Sequence, residues 1–172
     1  MFACLDVYYH PNGSATTGCV IFQNWMDAAP QKEVVTNLPT VAPYQPGAFY
    51  LRELPCLLSA IRQLNNIPEI ILIDGYVWLD GQNKPGLGAH LYRALNQQTS
   101  IIGIAKTHFA SAAAIPVNRG ISTRPLLVTT AGMDEYVAAQ HIASMHGEHR
   151  IPTLIRRADQ LCRGIAVSPL SR

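Results

Sequence analysis

The segment EIILID (residues 69–74) is the strongest indication of the fold of this chain. It is an apolar run between a glutamate and an aspartate, and it is rich in β-branched residues. Such a run is typical of a strand that is buried on both faces, as in the parallel centre of a sheet. Two further segments have the same character, IIGIA (residues 101–105) and PLLVTT (residues 125–130).

Three more strands are predicted on the N-terminal side of this centre. They are FACLDVYY (residues 2–9), TGCVIFQ (residues 17–23) and KEVVTNL (residues 32–38). The segment HPNGSAT (residues 10–16) has the composition of a turn. Because the connections are short, these three strands are expected to form an antiparallel meander.

Helices are predicted between and after the central strands. Pro55 suits the first turn of a helix, and Leu57, Leu58, Ile61 and Leu64 then recur on one face. Two more helices are expected at about residues 133–145 and 152–164. The predicted fold is therefore α/β, a mixed sheet of a three-strand antiparallel meander plus parallel strands, with helices on both faces.

The composition limits the class of protein. The chain has 172 residues, 48% hydrophobic and 14% charged, which excludes a disordered chain. The sequence contains no segment with the composition of a linker, so residues 1–172 are expected to form a single domain. No apolar run reaches the length of a membrane span and no secretory signal is visible, so no membrane partner is expected. A cytoplasmic location with buried thiols is expected, because no C-x-x-C pair occurs among the four cysteines, Cys4, Cys19, Cys56 and Cys162.

Four acidic residues have unusual positions. Each has a simple structural explanation by itself: Asp6 as a surface-facing strand residue, Asp74 as a turn residue, Glu53 as a partner of the helix dipole, and Asp159 as a solvated helix residue. Together they combine a first-strand aspartate, a carboxylate at the first helix, an aspartate that ends a central strand and one on a late helix. This is the order of carboxylates in ribonuclease H-like nucleases. Converging carboxylates of this kind suit Mg²⁺ or Mn²⁺, which assist phosphodiester hydrolysis.

Six segments then occur in an order that points to one family. They are PYQPGAFYLRELP (residues 43–55), PEIILIDG (68–75), PGLGAH (85–90), GIAK (103–106), RPL (124–126) leading to Gly132, and RIPTLIRRAD (150–159). In this order they resemble the motifs of endonuclease V, a nuclease family that recognises deaminated adenine (inosine). The resemblance runs from Asp6 to about Asp159 and implies a ribonuclease H-like fold.

The resemblance implies roles for particular residues. Asp6, Glu53 and Asp74 would bind the metal, Mg²⁺ with Mn²⁺ as the second choice. Lys106 would lie near the scissile phosphate, and Asp159 would be a further acidic catalytic residue. The substrate-binding residues implied by position are a wedge residue, the lining of a base pocket and their neighbours: Tyr44, Gly47, Phe49, Arg52, Gly86, Leu87 and His90.

The loop after Asp74-Gly75 departs from the family pattern. The H-P-R-R of the family is replaced by LDGQNK (residues 79–84), which has one lysine in place of two arginines. Asp80 in this loop is either a turn residue or a metal ligand. Ala89 and Met133 replace a serine and a histidine that the family often has.

The implied function is that of a metal-dependent endonuclease, a hydrolase that cuts a phosphodiester bond near a deaminated purine during repair or processing of nucleic acid. The expected partner is DNA or RNA. Two alternatives follow from the altered loop and the net charge of only +2. One is a nuclease of the same fold with a different substrate, and the other is a catalytically weak nucleic-acid-binding module.

Overall fold

The computed structural model describes residues 1–109 and 111–166. It shows a mixed sheet that is covered by helices. The strands are β1 (Phe2–Tyr9), β2 (Ala15–Phe22), β3 (Lys32–Leu38), β4 (Ile70–Asp74), β5 (Ser100–Ala105), β6 (Ile115–Val117) and β7 (Leu126–Ala131). The helices are α1 (Tyr50–Ile61), α2 (Leu87–Ala94), α3 (Glu135–Ser144) and α4 (Thr153–Cys162). None of the helices in this part of the chain has the length and apolarity needed to cross a membrane.

The strand order is β3-β2-β1-β4-β5-β7-β6. Strands β1 to β3 form the predicted antiparallel meander, and β4 runs parallel to both β1 and β5. The predicted mixed sheet with helices on both faces is thereby confirmed. Strand β7 is buried as expected but runs antiparallel to β5, because the chain reaches it through β6 rather than through a crossover helix. The three residues of β6 are too few to show a periodic pattern, and the sequence therefore did not predict them.

Side chains of the central strands alternate between two hydrophobic clusters. Ile71 and Ile73 of β4 pack with residues of α1 and α2, such as Leu57 and Leu91. Leu72 points to the opposite face, where α3 and α4 cover the sheet. Both faces of β4 are thus dry, which explains why its sequence is apolar at successive positions. The four cysteines are buried as free thiols, as expected.

Helix α1 begins at Tyr50, more than a turn before the start expected from Pro55. Pro55 lies inside the helix, where its missing N–H leaves the carbonyl of Leu51 without its helical donor. Leu51 is exposed, so water can reach that side of the helix. The earlier start corrects the position of Glu53, which lies in the first turn of α1 rather than before it.

Helix α4 packs closely on β2 at Gly18. A Cβ atom at this position would lie 2.7 Å from the carbonyl oxygen of Ala158 and 2.8 Å from the backbone nitrogen of Cys162. Both atoms belong to the helix backbone and cannot turn away. The absence of a side chain at Gly18 therefore sets the depth at which α4, and with it Asp159, lies on the sheet.

We expect Gly18→Ala to lower the free energy of unfolding by about 2 kcal/mol, because the helix backbone must shift to admit the methyl group. Urea denaturation followed by circular dichroism measures this change. Gly81→Ala is the matched control, since a Cβ atom there meets open space. Equal stability of the two variants would contradict the close approach at Gly18.

Candidate active site

Carboxylates from two neighbouring parallel strands meet at one edge of the sheet. The register pairs Leu5 of β1 with Ile73 of β4. The next residues are Asp6 and Asp74, which therefore lie side by side where β4 ends. Ligand sites of α/β proteins commonly form at the carboxyl ends of such strands.

Helices bring two further carboxylates to this edge. Glu53 comes from the first turn of α1, and Asp159 comes from α4. All four carboxylates and Lys106 line one cavity of about 360 Å³. The structure therefore brings together the five residues that the sequence proposed as catalytic.

Helix α4 is anchored beside Asp159 by an ion pair. The buried guanidinium of Arg157 donates two hydrogen bonds to the Glu33 carboxylate on β3, at 2.5 and 2.8 Å. Carboxylate oxygens of Asp6 and Asp159 and the Cys162 sulfur lie within 4.8 Å of one another. Asp159 also accepts a hydrogen bond of 2.7 Å from Nε of Arg163.

Lys106 follows β5 and forms an ion pair with one of the strand carboxylates. Its Nζ donates a 2.6 Å hydrogen bond to Oδ2 of Asp74. Burial lowers the pKa of Lys106, but the hydrogen bond and charge of Asp74 outweigh this effect, so the pKa lies above its ordinary value. The Lys106 backbone is held as well, because Nη2 of Arg150 donates to its carbonyl at 2.5 Å. Lys106 is thus charged and fixed at both ends.

Glu53 is the most buried acid of the site, with 5% of its surface exposed. Its Oε2 atom has no hydrogen-bond partner among the residues that the structure describes. Burial, together with the charges of Asp6 and Asp74, raises the pKa of Glu53 to about 8. Burial and the charge of Asp74 also raise the pKa of Asp6 to about 6. These carboxylates destabilise one another when ionised, and a bound cation would remove that cost.

The residues at this edge fit a hard divalent cation. Asp6, Glu53 and Asp74 offer carboxylate oxygens, which are the ligands that Mg²⁺ and Mn²⁺ prefer. The unpartnered Oε2 of Glu53 supports this fit, since a buried carboxylate oxygen without a partner is unfavourable.

A second cavity, of about 300 Å³, adjoins the acidic one and shares Phe49, Asp74 and Gly75 with it. Its walls are mostly apolar or aromatic. The remaining lining residues are Gly47, Tyr50, Tyr76, Leu79, Lys84, Pro85, Gly86, Leu87 and Phe109. Gly47, Phe49, Gly86 and Leu87 were proposed from the sequence as a base pocket, and all four line this cavity.

The other three proposed substrate-binding residues lie around these cavities rather than in them. Tyr44 is 61% exposed, and its ring centre lies 6.3 Å from that of Phe49. Arg52 stacks on the ring of Tyr9, with its guanidinium carbon 3.8 Å from the ring centre. His90 stacks flat against Tyr50 at 3.5 Å, and burial lowers its pKa. His90 therefore supports the cavity wall from behind.

Several residues of the site were missed by the sequence analysis. Arg163 lies four residues after Asp159, a spacing that places both on one helix face, so this pair was available from the sequence. Tyr9, Tyr76 and Phe109 line the cavities without any local pattern that marks them. Asp80 behaves as a turn residue, because its Oδ1 accepts hydrogen bonds of 2.8 Å from two backbone N–H groups of its own loop.

Comparison with known proteins places this chain among endonucleases V. The model of the endonuclease V family matches residues 1–139. Endonuclease V of Xylella fastidiosa (strain 9a5c) is 33% identical over 106 residues, which cover 62% of this chain and 43% of the relative. That of Xanthomonas axonopodis pv. citri (strain 306) is 32% identical over 128 residues, or 74% and 53% of the two chains. The chain thus spans about half the length of these curated relatives.

Solved structures share the fold. The crystal structure of endonuclease V from Streptomyces avermitilis superposes with a TM-score of 0.77 at 26% identity, over 95% of this chain and 79% of that one. Ciona intestinalis endonuclease V, crystallised with a DNA that contains an inosine followed by a ribo-adenosine, gives a TM-score of 0.81. At 18% identity, over 95% of this chain and 84% of that one, the latter similarity shows the fold alone.

Proposed function

Because the chain belongs to the endonuclease V family, we propose that it is a metal-dependent endonuclease that hydrolyses a phosphodiester bond near a deaminated purine. The observation that carries this proposal is the buried carboxylate of Glu53, which shares one cavity with Asp6 and Asp74 and whose Oε2 has no partner in the described part of the chain. We propose a nucleic acid strand, DNA or RNA, as the substrate, and repair or processing of nucleic acid as the role. The cytoplasmic location expected from the cysteines stays a prediction.

Asp6, Glu53 and Asp74 are the proposed metal ligands, with Mg²⁺ preferred and Mn²⁺ as the alternative. A divalent cation bound there would acidify a water molecule and offset negative charge on the phosphate. Hydrolysis adds a water molecule across the P–O bond, so a 5′ or 3′ phosphate and a hydroxyl are left on the two ends. The proposed metal site therefore depends on the three carboxylates that share one cavity.

Lys106 is proposed to stabilise the phosphate oxygens. Its ammonium group is fixed by Asp74 at 2.6 Å and stays protonated, since its pKa is raised. A preformed positive charge at the place where negative charge develops costs no reorganisation during the reaction. Asp159 is proposed to orient Arg163, which lines the same cavity. The Nε atom of Arg163 donates a hydrogen bond of 2.7 Å to Oδ1 of Asp159.

The apolar cavity is proposed to hold the deaminated base after it leaves the strand. Gly86 has no room for a side chain, because a Cβ atom would lie 2.6 Å from the carbonyl oxygen of Tyr76. Gly47 has a φ of +78°, which few other residues adopt. Gly86 thereby lets its backbone approach that of Tyr76 closely, and Gly47 adds no side chain to the open space beside it. Backbone groups at both places are then free to contact the edge of a flat ring. Tyr44, exposed near Phe49, is the proposed wedge that stacks on the neighbouring bases.

The test is cleavage of labelled DNA and RNA strands that differ only in a single inosine. We expect cutting near inosine with Mg²⁺ or Mn²⁺, no cutting with a chelator, and no cutting by the Asp74→Ala variant. Metal-dependent cutting that ignores inosine would contradict the base assignment and favour a nuclease with another substrate. Binding of the inosine strand without cutting under either metal would favour a nucleic-acid-binding module.

A further inference from the structure

Two segments that both line the apolar cavity are joined by side-chain hydrogen bonds. The Tyr76 hydroxyl donates to the carbonyl oxygen of Thr107 at 2.8 Å and accepts from the backbone N–H of Phe109 at 3.1 Å. The Ser111 hydroxyl donates to the carbonyl oxygen of Leu79 at 2.9 Å. A single tyrosine oxygen therefore satisfies two backbone groups of the irregular segment that follows Lys106.

This segment carries one of the aromatic walls. Phe109 is 47% exposed and lines the cavity, and its ring centre lies 6.3 Å from that of Tyr76. Phe49, which is 42% exposed, lines the same cavity. Partly exposed aromatic rings around an apolar cavity offer faces on which a planar base can stack. The position of Phe109 in turn depends on the backbone that Tyr76 holds.

We propose that Tyr76 is a positioning residue for base selectivity: its hydroxyl holds residues 107–109 so that Phe109 forms the wall against which a deaminated purine stacks. This inference rests on the proposed function of the cavity. The family motifs do not account for Tyr76, since it stands at the start of the segment that leads into the altered loop at residues 79–84. Among residues 1–109 and 111–166, the hydroxyl reaches the cavity wall through these two backbone groups, so its effect on the base is indirect.

The variant Tyr76→Phe removes one oxygen atom and keeps the aromatic lining of the cavity. The backbone N–H of Phe109 and the carbonyl of Thr107 lose their partner, and the wall segment is released. We expect the Kd for a strand with one inosine to rise about tenfold, because the base then stacks on a wall that these two hydrogen bonds no longer fix. The Kd for the same strand with adenine in place of inosine should stay unchanged, because that strand does not depend on the cavity.

Fluorescence anisotropy with labelled strands, in the presence of a chelator so that nothing is cut, measures both Kd values. Tyr136→Phe is the matched control, since Tyr136 is a 65% exposed tyrosine on α3. Hydrogen exchange of the Phe109 amide, followed by NMR, reports the hydrogen bond from this amide to the Tyr76 hydroxyl without any ligand. The exchange should accelerate at least tenfold in Tyr76→Phe and stay unchanged in Tyr136→Phe.

The outcomes separate this inference from the function on which it rests. Loss of inosine preference together with faster exchange at Phe109 supports the role of Tyr76. A Tyr76→Phe variant that keeps the preference of the wild type overturns that role and leaves the proposed function intact. A wild-type protein that does not distinguish the two strands overturns both.

Discussion

Replacing Asp6 with asparagine is expected to reduce metal-dependent cleavage by about 10³-fold while the protein stays folded. Asp6 is coupled to two other acids of the site, because its charge acts on Glu53 and one of its oxygens lies within 4.8 Å of an oxygen of Asp159. Asparagine keeps the shape of the side chain but removes the negative charge that a cation needs. Single-turnover cleavage at saturating Mg²⁺ measures the change.

The control for this variant is Asp134→Asn. Asp134 caps α3 by accepting hydrogen bonds from the backbone N–H groups of Tyr136 and Val137. Asparagine caps helices about as well as aspartate, so this variant should keep both its stability and its cleavage rate. Cleavage by Asp6→Asn at a rate within tenfold of the wild type would contradict the assignment of Asp6 as a metal ligand.

Glu53 is expected to make the metal-free protein less stable as the pH rises. Its pKa is about 8 in the folded protein, against an ordinary value of 4.5 in the unfolded chain. The stabilisation that its proton brings is therefore fully present below pH 4.5 and is lost as the pH rises through 8. Between pH 6 and pH 8 the wild type should lose about 2 kcal/mol of unfolding free energy relative to Glu53→Gln, which has no proton to lose.

Urea unfolding in the presence of a chelator, at several pH values, measures this difference. Glu135→Gln on the exposed surface of α3 is the control and should follow the wild type at every pH. Mg²⁺ at about 100 times its Kd should restore about 2.7 kcal/mol to the wild type at pH 8, and much less to Glu53→Gln. Parallel pH profiles for the wild type and Glu53→Gln would show that the Glu53 carboxyl is not buried without a partner.

Much of the fold could be predicted from the sequence because it depends on local patterns. The apolar run at residues 69–74 requires a strand covered on both faces, and the short turn at residues 10–16 requires antiparallel neighbours. The location of the strand carboxylates could be predicted in the same way, since aspartates in or at the end of neighbouring strands share one edge of the sheet. Residues of the base pocket came from the motif resemblance, and Gly47, Phe49, Gly86 and Leu87 do line one cavity.

Contacts between distant segments, by contrast, were decided only by the tertiary structure. The ion pair of Lys106 with Asp74 and the hydrogen bond from the Tyr76 hydroxyl to Thr107 join residues more than 30 positions apart. Packing of α1 on the sheet made Glu53 the most buried acid of the site, a degree of burial that its place beside the predicted helix start did not indicate. Local strand and helix patterns, which can be read along the chain, were enough to predict which residues reach this edge of the sheet. Burial, pKa and hydrogen-bond partners depend on how the elements pack, and only the assembled structure decided them.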